Sequence, residues 1–323
     1  MIIATVIMVA ALLYVGRTFH WEAIARGISH INLALFLVSA CCSIVSYWWV
    51  RTLRWSVLLY GFHAGISFWT LYLTTALSVS LATITPLQAG EFCKVELLTD
   101  GATFTRASGY STFVVERAMD GAIVGVLAAI GLCAWNPIHL SWQVALPLAA
   151  GAVLVIAAVA HLAYHCWPAR MTRLFAAFAL LLRQPARLAA AFALSLLAWG
   201  LIGAGWHYSL QCVGIAQPPL TTFCLMGMLT IINIASLIPG AIGVAEVGAV
   251  AILTHFGEPR ALAQIGAIAL RLYGLMTILL GVLHYPIWRL NARNARADTL
   301  PQAMIDEADG SEITTSARKV DYE

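Results

Sequence analysis

Charge is scarce in this sequence: only 10% of its 323 residues are Asp, Glu, Lys or Arg, whereas 61% are hydrophobic. So low a charge excludes an ordinary soluble domain, and we expect no nucleic-acid partner. Several uncharged runs reach the ~20 residues that cross a bilayer. The sequence therefore predicts an all-α polytopic membrane protein.

Catalytic and metal-binding signatures are missing as well. No Walker, G-x-S-x-G or H-E-x-x-H pattern occurs, so we expect no enzyme activity and no cofactor. The seven cysteines lack C-x-x-C spacing and lie mostly in apolar runs, where they act as small hydrophobic residues. His161 and His165 have the spacing of metal ligands on a helix, but no acid or cysteine cluster accompanies them, so we expect no metal site.

Two apolar segments combine helix breakers with an acid. The residues concerned are Pro86, Gly90 and Glu91 in residues 81–94, and Pro239, Gly240, Gly243 and Glu246 in residues 233–247. Proline removes a backbone donor and glycine relaxes the helix, so neither segment is expected to span as one continuous helix. Broken backbone at membrane depth survives only where protein or a water-filled cavity satisfies it. Paired breaks in two halves of a chain predict a substrate site between two repeats.

The order of the apolar runs predicts two repeats, about 1–135 and 142–288, within an integral membrane domain of residues 1–288. Each repeat would contain two spans, a re-entrant hairpin and a third span. Three spans per repeat invert the second copy relative to the first. The prediction is therefore about six full spans and two broken, re-entrant segments.

The basic residues predict the orientation. They gather at Arg51 and Arg54, in residues 170–187 and after Arg289, and the positive-inside rule places these positions and both termini in the cytoplasm. Arg51 and Arg54 are expected to anchor a span that ends at Val50, with Tyr47, Trp48 and Trp49 as its aromatic belt. Residues 289–323 are polar and poor in aromatics, so we expect a disordered cytoplasmic tail.

Charged side chains also fall inside or beside the apolar runs. They are Glu91, Lys94, Glu96, Glu116, Arg117, Asp120, Glu246 and Arg271. A charge at the bilayer centre costs about 2.5–3.5 kcal/mol, so such residues either pair or serve a function. One interpretation is structural ion pairs, Arg271 with Glu246 or Arg117 with Glu91. The other is a cavity where arginine binds phosphate and the acids handle a proton or gate the site. Lys94 and Glu96 have the further alternative of a solvated loop.

The same residues resemble the flippase-like membrane domain of the lysylphosphatidylglycerol synthase transmembrane family. The resemblance covers most of residues 30–285. Its motifs are Arg54-Trp55 with Leu58-Leu59, Pro86 before Gly90-Glu91, Glu116-Arg117 with Asp120, Pro239-Gly240-x-x-Gly243-x-x-Glu246, and Arg271 with Gly281. It implies a bacterial inner-membrane protein. Only the tail follows Tyr285, so we do not expect the aminoacyl-transferase domain of the two-domain synthases.

By this resemblance the function would be that of a flippase for an anionic or phosphate-bearing lipid, glycolipid or polyprenyl-phosphate-type amphiphile. The expected partners are membrane lipids with anionic head groups. Formation of a homo-oligomer is left as an open alternative. The alternatives are a membrane-embedded enzyme or accessory subunit of lipid or glycolipid assembly, such as hopanoid assembly, and a small-solute transporter. The expected substrate-binding residues are Arg271, Arg117, Glu246, Glu91, Glu116, Asp120, Lys94, Pro86, Gly90, Pro239, Gly240 and Gly243.

Overall fold

The computed structural model describes residues 2–29, 32–60, 66–99, 105–135, 161, 165, 166 and 168–320, with side chains as far as Asn291. This part of the chain is almost entirely helical and contains no strand, which confirms the predicted all-α fold. The helices are α1 (Ile2–Thr18), α2 (Trp21–Ser29), α3 (Leu33–Tyr60), α4 (Phe68–Ile84), α5 (Cys93–Thr99), α6 (Arg106–Trp135), α7 (Pro168–Leu182), α8 (Pro185–Cys212), α9 (Pro219–Ala235), α10 (Val244–His255) and α11 (Arg260–Val320).

Three of these helices are long and apolar enough to cross a membrane: α3, α8 and the part of α11 from Arg260 to Asn291. Large apolar side chains face outward from them, including Leu197 and Val282, as expected where lipid is the solvent. The chain is therefore a multi-pass membrane protein. Its six spans, its re-entrant hairpins and its inverted repeats stay predictions. The predicted span from Trp142 to Tyr164 lies almost wholly outside the described residues.

The core lies where α3, α4, α8 and α11 meet. Apolar side chains of these helices fill it, among them Ile44, Trp48 and Leu73. Lipid tails are as apolar as the helices, so helix association in a membrane depends on close packing and interhelical hydrogen bonds. The Ser43 hydroxyl supplies such bonds: it donates to the Leu201 carbonyl at 2.8 Å and lies 2.9 Å from the Tyr273 hydroxyl. One small residue thus joins α3, α8 and α11.

Both predicted helix breaks are confirmed. Helix α4 ends before a 3-10 segment, Pro86–Phe92, and helix α9 ends before a short 3-10 turn, Pro239–Ala241. Four residues other than glycine have positive φ in the described chain, and all lie in these two breaks: Leu87, Gln88, Leu237 and Ala241. Such backbone costs about 1–3 kcal/mol per residue and persists only when its surroundings enforce it.

The two breaks adjoin each other. A Cβ built on Gly240 would lie 3.4 Å from the carbonyl oxygen of Thr83, at the end of α4. Within the first break, Gly90 packs so tightly on α4 that a Cβ would lie 2.4 Å from the carbonyl carbon of Leu81. The Gly90 amide donates to the Thr85 hydroxyl at 2.7 Å, which satisfies one donor that the break frees from the helix.

The last helix extends past the predicted membrane domain: the backbone of α11 is helical to Val320. The predicted disorder of residues 289–323 stays a prediction. Alanine, arginine and glutamate, which favour helices, recur in residues 289–320. The domain boundary at residue 288 and the cytoplasmic position of the tail stay predictions.

Candidate functional site

A cluster of seven charged side chains joins the helices beside the first break. We call it the charged cluster: Arg51 and Arg54 of α3, Glu91 of the first break, Lys94 of α5, and Glu116, Arg117 and Asp120 of α6. Six of the seven residues are buried, and Arg117 is the exception. A buried charge is tolerated only with an opposite charge and hydrogen bonds around it, so the partners define the role of each residue.

Arg51 donates two parallel hydrogen bonds to the carboxylate of Glu91, at 2.7 and 2.8 Å. It also donates to the Tyr47 hydroxyl at 2.9 Å. Bidentate pairing of this kind is among the strongest that arginine makes with a carboxylate. The first break is thereby fixed to the middle of α3.

Arg54 is fully buried and its donors are well occupied. Its guanidinium donates to Glu116 at 3.1 Å, to Asp120 at 2.6 and 3.2 Å, and to the Ser195 hydroxyl at 2.8 Å. The indole of Trp199 donates to the same Asp120 carboxylate at 3.0 Å. This arginine connects α3, α6 and α8, and its surroundings indicate a structural role.

Lys94 contributes the fourth cation of the cluster, from α5. Its ammonium pairs with Glu116 and lies 4.6 Å from the ring centre of Trp55 and 5.4 Å from that of Phe113. The alternative of a solvated loop is therefore wrong for Lys94, because Lys94 is buried.

Arg117 is the member of the cluster that meets open space. Its side chain is 28% exposed, and one of its terminal nitrogens lies 2.8 Å from Glu91 and 2.6 Å from Asp120. Each of these carboxylates already has a second arginine, Arg51 for Glu91 and Arg54 for Asp120. Both acids would therefore keep a basic partner if the guanidinium of Arg117 turned to a ligand.

The expectation that Arg51 and Arg54 anchor the end of a span at Val50 is wrong. Helix α3 continues to Tyr60, and both arginines are buried inside the cluster. The aromatic belt is likewise wrong for Tyr47 and Trp48, which are buried. The residues carried a usable signal, because Arg51 and Arg54 stand three apart on one helix face and the acids at depth each need a cation.

A second ion pair closes the other break. Arg271 of α11 pairs with Glu246 of α10 and donates to the carbonyls of Gly240 at 2.9 Å and Ala241 at 3.4 Å. Glu246 also accepts a hydrogen bond from the Gly243 amide at 2.8 Å, so it caps the first turn of α10. We call Arg271 and Glu246 the clamp. The pairs that the sequence suggested, Arg271 with Glu246 and Arg117 with Glu91, are both present.

A cavity of about 230 Å³ lies between the charged cluster and the clamp. That volume exceeds the space for one water, about 30 Å³. Six of the expected site residues line it: Glu91, Arg117, Asp120, Gly240, Glu246 and Arg271. Lys94 and Glu116 are buried in the cluster and do not line it, and Pro86, Gly90, Pro239 and Gly243 shape the breaks without lining it.

The sequence missed other residues of this cavity. They include Tyr47, Arg51, Trp199, Trp206, Thr230 and Asn233. Most sit in apolar runs where only their position after folding distinguishes them from core residues. Arg51 was visible as a charge, but its place at the end of an apolar run suggested an interface.

The charges of the site determine where an anion could bind. The charged cluster has four cations against three carboxylates, and the clamp has one of each. The extra cation of the cluster lies in the buried group of Arg54, Lys94 and Glu116, which does not line the cavity. The cavity itself is lined by three arginines and three carboxylates. Arginine is also the side chain that best matches the oxygens of a phosphate. The arrangement can bind an anionic group of modest size at Arg117, since the two acids of Arg117 each keep a second arginine.

Comparison with known proteins identifies the family of the chain. No curated protein and no solved structure matches it. The family model described as "Lysylphosphatidylglycerol synthase TM region" matches residues 1–281. The match includes the charged cluster, both breaks and the clamp, and it confirms the resemblance that the motifs suggested. The chain therefore belongs to the lysylphosphatidylglycerol synthase TM-region family, membrane proteins tied to lipid metabolism or transport.

Proposed function

We propose that this protein is a lipid transporter that moves an amphiphile with an anionic head group across the membrane. The head group would pass through the cavity between the two breaks while the acyl chains stay in lipid. The observation that supports this most is Arg117, a partly exposed arginine that lines the cavity and whose two acid partners each keep a second arginine.

Transport fits the site better than catalysis does. The three carboxylates that line the cavity all have arginine partners: Glu91, Asp120 and Glu246. A general base must be able to accept a proton from a substrate, and a carboxylate held by arginine is poorly placed to do so. The arginines that hold these carboxylates are better suited to a transport site, because a guanidinium can exchange a carboxylate partner for an anionic head group. No nucleotide-binding signature occurs in the sequence, so a gradient or mass action would drive the movement.

The proposed location is the bacterial inner membrane, with both termini in the cytoplasm. The basic residues that support this orientation are those of residues 170–187 and 289–296. Arg51 and Arg54 no longer contribute to it, because they are buried in ion pairs.

The experiment is lipid movement in proteoliposomes. Fluorescent lipids with an anionic or a phosphatidylcholine head group are followed by quenching of the outer leaflet, in wild type and in Arg117→Gln. We expect wild type to move the anionic lipid and Arg117→Gln to move it at least about tenfold more slowly, since one charge-assisted bond contributes about 1.5–3 kcal/mol. The fold should survive, because Glu91 and Asp120 retain Arg51 and Arg54.

The matched control is Arg106→Gln, since Arg106 is an exposed arginine on the same helix, paired at the surface with Glu96. It should transport like wild type. Equal transport by Arg117→Gln would remove the cavity from the transport path. Binding of the anionic lipid without any movement by wild type would contradict transport and favour an accessory role in lipid assembly.

A further inference from the structure

The two helix breaks share one backbone pattern. In each break a proline is followed by two residues with positive φ: Leu87 and Gln88, at 55° and 56°, in the first break, and Gly240 and Ala241, at 61° and 48°, in the second. Three of these four residues are not glycine, and such residues rarely adopt this backbone. Two of them in succession at the same place after a proline indicate a repeated motif.

The elements around the breaks repeat as well. The helix before each break has 17 residues, α4 in the first half of the chain and α9 in the second. The helices before these, α3 and α8, have 28 residues each. The last helix of each half carries an arginine, and the stretch from Pro86 to Arg117 differs in length by one residue from the stretch from Pro239 to Arg271. Arg117 and Arg271 therefore hold equivalent positions.

Arg271 holds the second break by its backbone. Its guanidinium pairs with Glu246 and donates to the carbonyls of Gly240 and Ala241, at 2.9 and 3.4 Å. These carbonyls belong to the two residues with positive φ, so the bonds stabilise the strained part of the break. Ala241 is buried in this arrangement. The second break is thus closed by the arginine of its own half.

Arg117 does not hold the first break in this way. Its terminal nitrogen binds the carboxylates of Glu91 and Asp120. Within the described chain it donates to neither of the equivalent carbonyls, those of Leu87 and Gln88, and its Nε is buried without a partner, which is rare for a buried donor. Gln88 is partly exposed, unlike its counterpart in the second break. The two breaks are therefore in different states.

Movement of Arg117 would strand no charge, because Glu91 keeps Arg51 and Asp120 keeps Arg54. This arginine is therefore able to change partners.

The two breaks also touch, so neither can rearrange alone. A Cβ built on Gly240 would lie 3.4 Å from the Thr83 carbonyl oxygen at the end of α4. In transporters built from inverted repeats, one repeat moves against the other around a fixed site, which opens the site to each side in turn.

We infer that the two breaks exchange their conformations. In the second state Arg117 holds the two positive-φ carbonyls of the first break, and Arg271 releases those of the second break while it keeps Glu246. The cavity is then closed at the first break and open at the second. This inference rests on the proposed transport function, for which it supplies the movement.

Cysteine labelling at two equivalent positions measures the exchange. Gln88→Cys and Ala241→Cys are made singly in a protein whose seven natural cysteines are replaced by alanine. Each protein reacts in detergent with a small maleimide. With Arg117 and Arg271 in place, position 88 should react faster than position 241, because Gln88 is partly exposed and Ala241 is buried.

Arg271→Lys should shift the balance without stranding Glu246. Lysine keeps the charge beside the carboxylate but lacks the planar fork that also reaches two carbonyls. We expect labelling at position 241 to become about tenfold faster, the ratio that one net hydrogen bond supports. Labelling at position 88 should become slower. The slower rate is the decisive reading, because a second break that only loosened locally would leave position 88 unaffected.

Adding Arg117→Leu tests whether Arg117 holds the first break in the second state. Leucine has no donor for the carbonyls, so both rates should return toward those of the protein with its native Arg271. Arg117→Met, which also lacks a donor, serves if leucine does not fit. Arg260→Lys is the matched control, because Arg260 is an exposed arginine of the same helix as Arg271; both rates should stay unchanged.

Faster labelling at position 241 with unchanged labelling at position 88 would overturn the exchange, and so would unchanged rates at both positions. Rates that stay altered after Arg117→Leu is added would overturn the role of Arg117. None of these readings depends on lipid movement, so failure of the exchange leaves the transport proposal standing. Reciprocal labelling without any lipid movement in proteoliposomes would instead refute the proposed function.

Discussion

The clamp predicts a measurable coupling between Arg271 and Glu246. Arg271→Ala leaves the Glu246 carboxylate, whose side chain is 9% exposed, without its cation. It also removes the donor to the Gly240 carbonyl. Stranding a buried charge costs about 3–5 kcal/mol, and the 25% exposure of the Arg271 side chain places the effect at the low end because water can reach the site. We expect Arg271→Ala to lower the free energy of unfolding by about 3 kcal/mol.

In the Glu246→Gln background, Arg271→Ala should lower the free energy of unfolding by less. The side-chain oxygen of the glutamine can still accept from the Gly243 amide, so α10 keeps its cap. In that background Arg271→Ala strands no carboxylate and costs only the bonds to two backbone carbonyls, about 1–2 kcal/mol. The double-mutant cycle should therefore give a coupling energy of about 1–2 kcal/mol.

The assay is SDS-induced unfolding in mixed micelles, followed by tryptophan fluorescence, on the wild type, both single variants and the double variant. Arg260→Ala is the control, because Arg260 is an exposed arginine of the same helix; its effect should stay within about 0.5 kcal/mol. Additive effects of the two clamp substitutions, with coupling below about 0.5 kcal/mol, would refute the idea that this ion pair holds the break.

Further predictions concern the scaffold and the orientation. Arg54→Met should abolish folding or cost at least about 3–5 kcal/mol, because it deprives buried carboxylates of their main partner; expression and thermal midpoint in detergent report it. Gly90→Ala should destabilise by about 1–3 kcal/mol through its clash with α4, whereas Gly121→Ala, with open space around it, should be neutral or stabilising by the same measurement. Cysteine labelling should find Arg183 and Gln217 on opposite sides of the membrane; labelling from one side would refute the inverted repeats.

The breaks and the clamp could be predicted because their causes are local. Proline and glycine end a helix wherever they occur, and an acid beside such an end must find a cation when it lies in an apolar segment. Arg271 stands in the middle of an uncharged run, so only a pair or a ligand could explain it.

The interior position of Arg51 and Arg54 could not be predicted in the same way. An arginine at the end of an apolar run satisfies the rule for an interfacial anchor as well as the rule for a buried pair. Only the packing of α6 and α8 on α3, which brings Asp120 and Ser195 to Arg54, decides between them.

The shared carboxylates of Arg117 have a consequence for how such a protein can evolve. Its two acids are held by other arginines, so under the proposed transport function a mutation at residue 117 should change affinity for the cargo while folding is preserved. A mutation at Arg54 should instead destabilise the fold, because it strands buried carboxylates. If the cavity carries a cargo as proposed, selection could alter it at this one site without first acquiring a compensating stabilising mutation, and inherited variation should concentrate on the side of the cluster that faces the cavity.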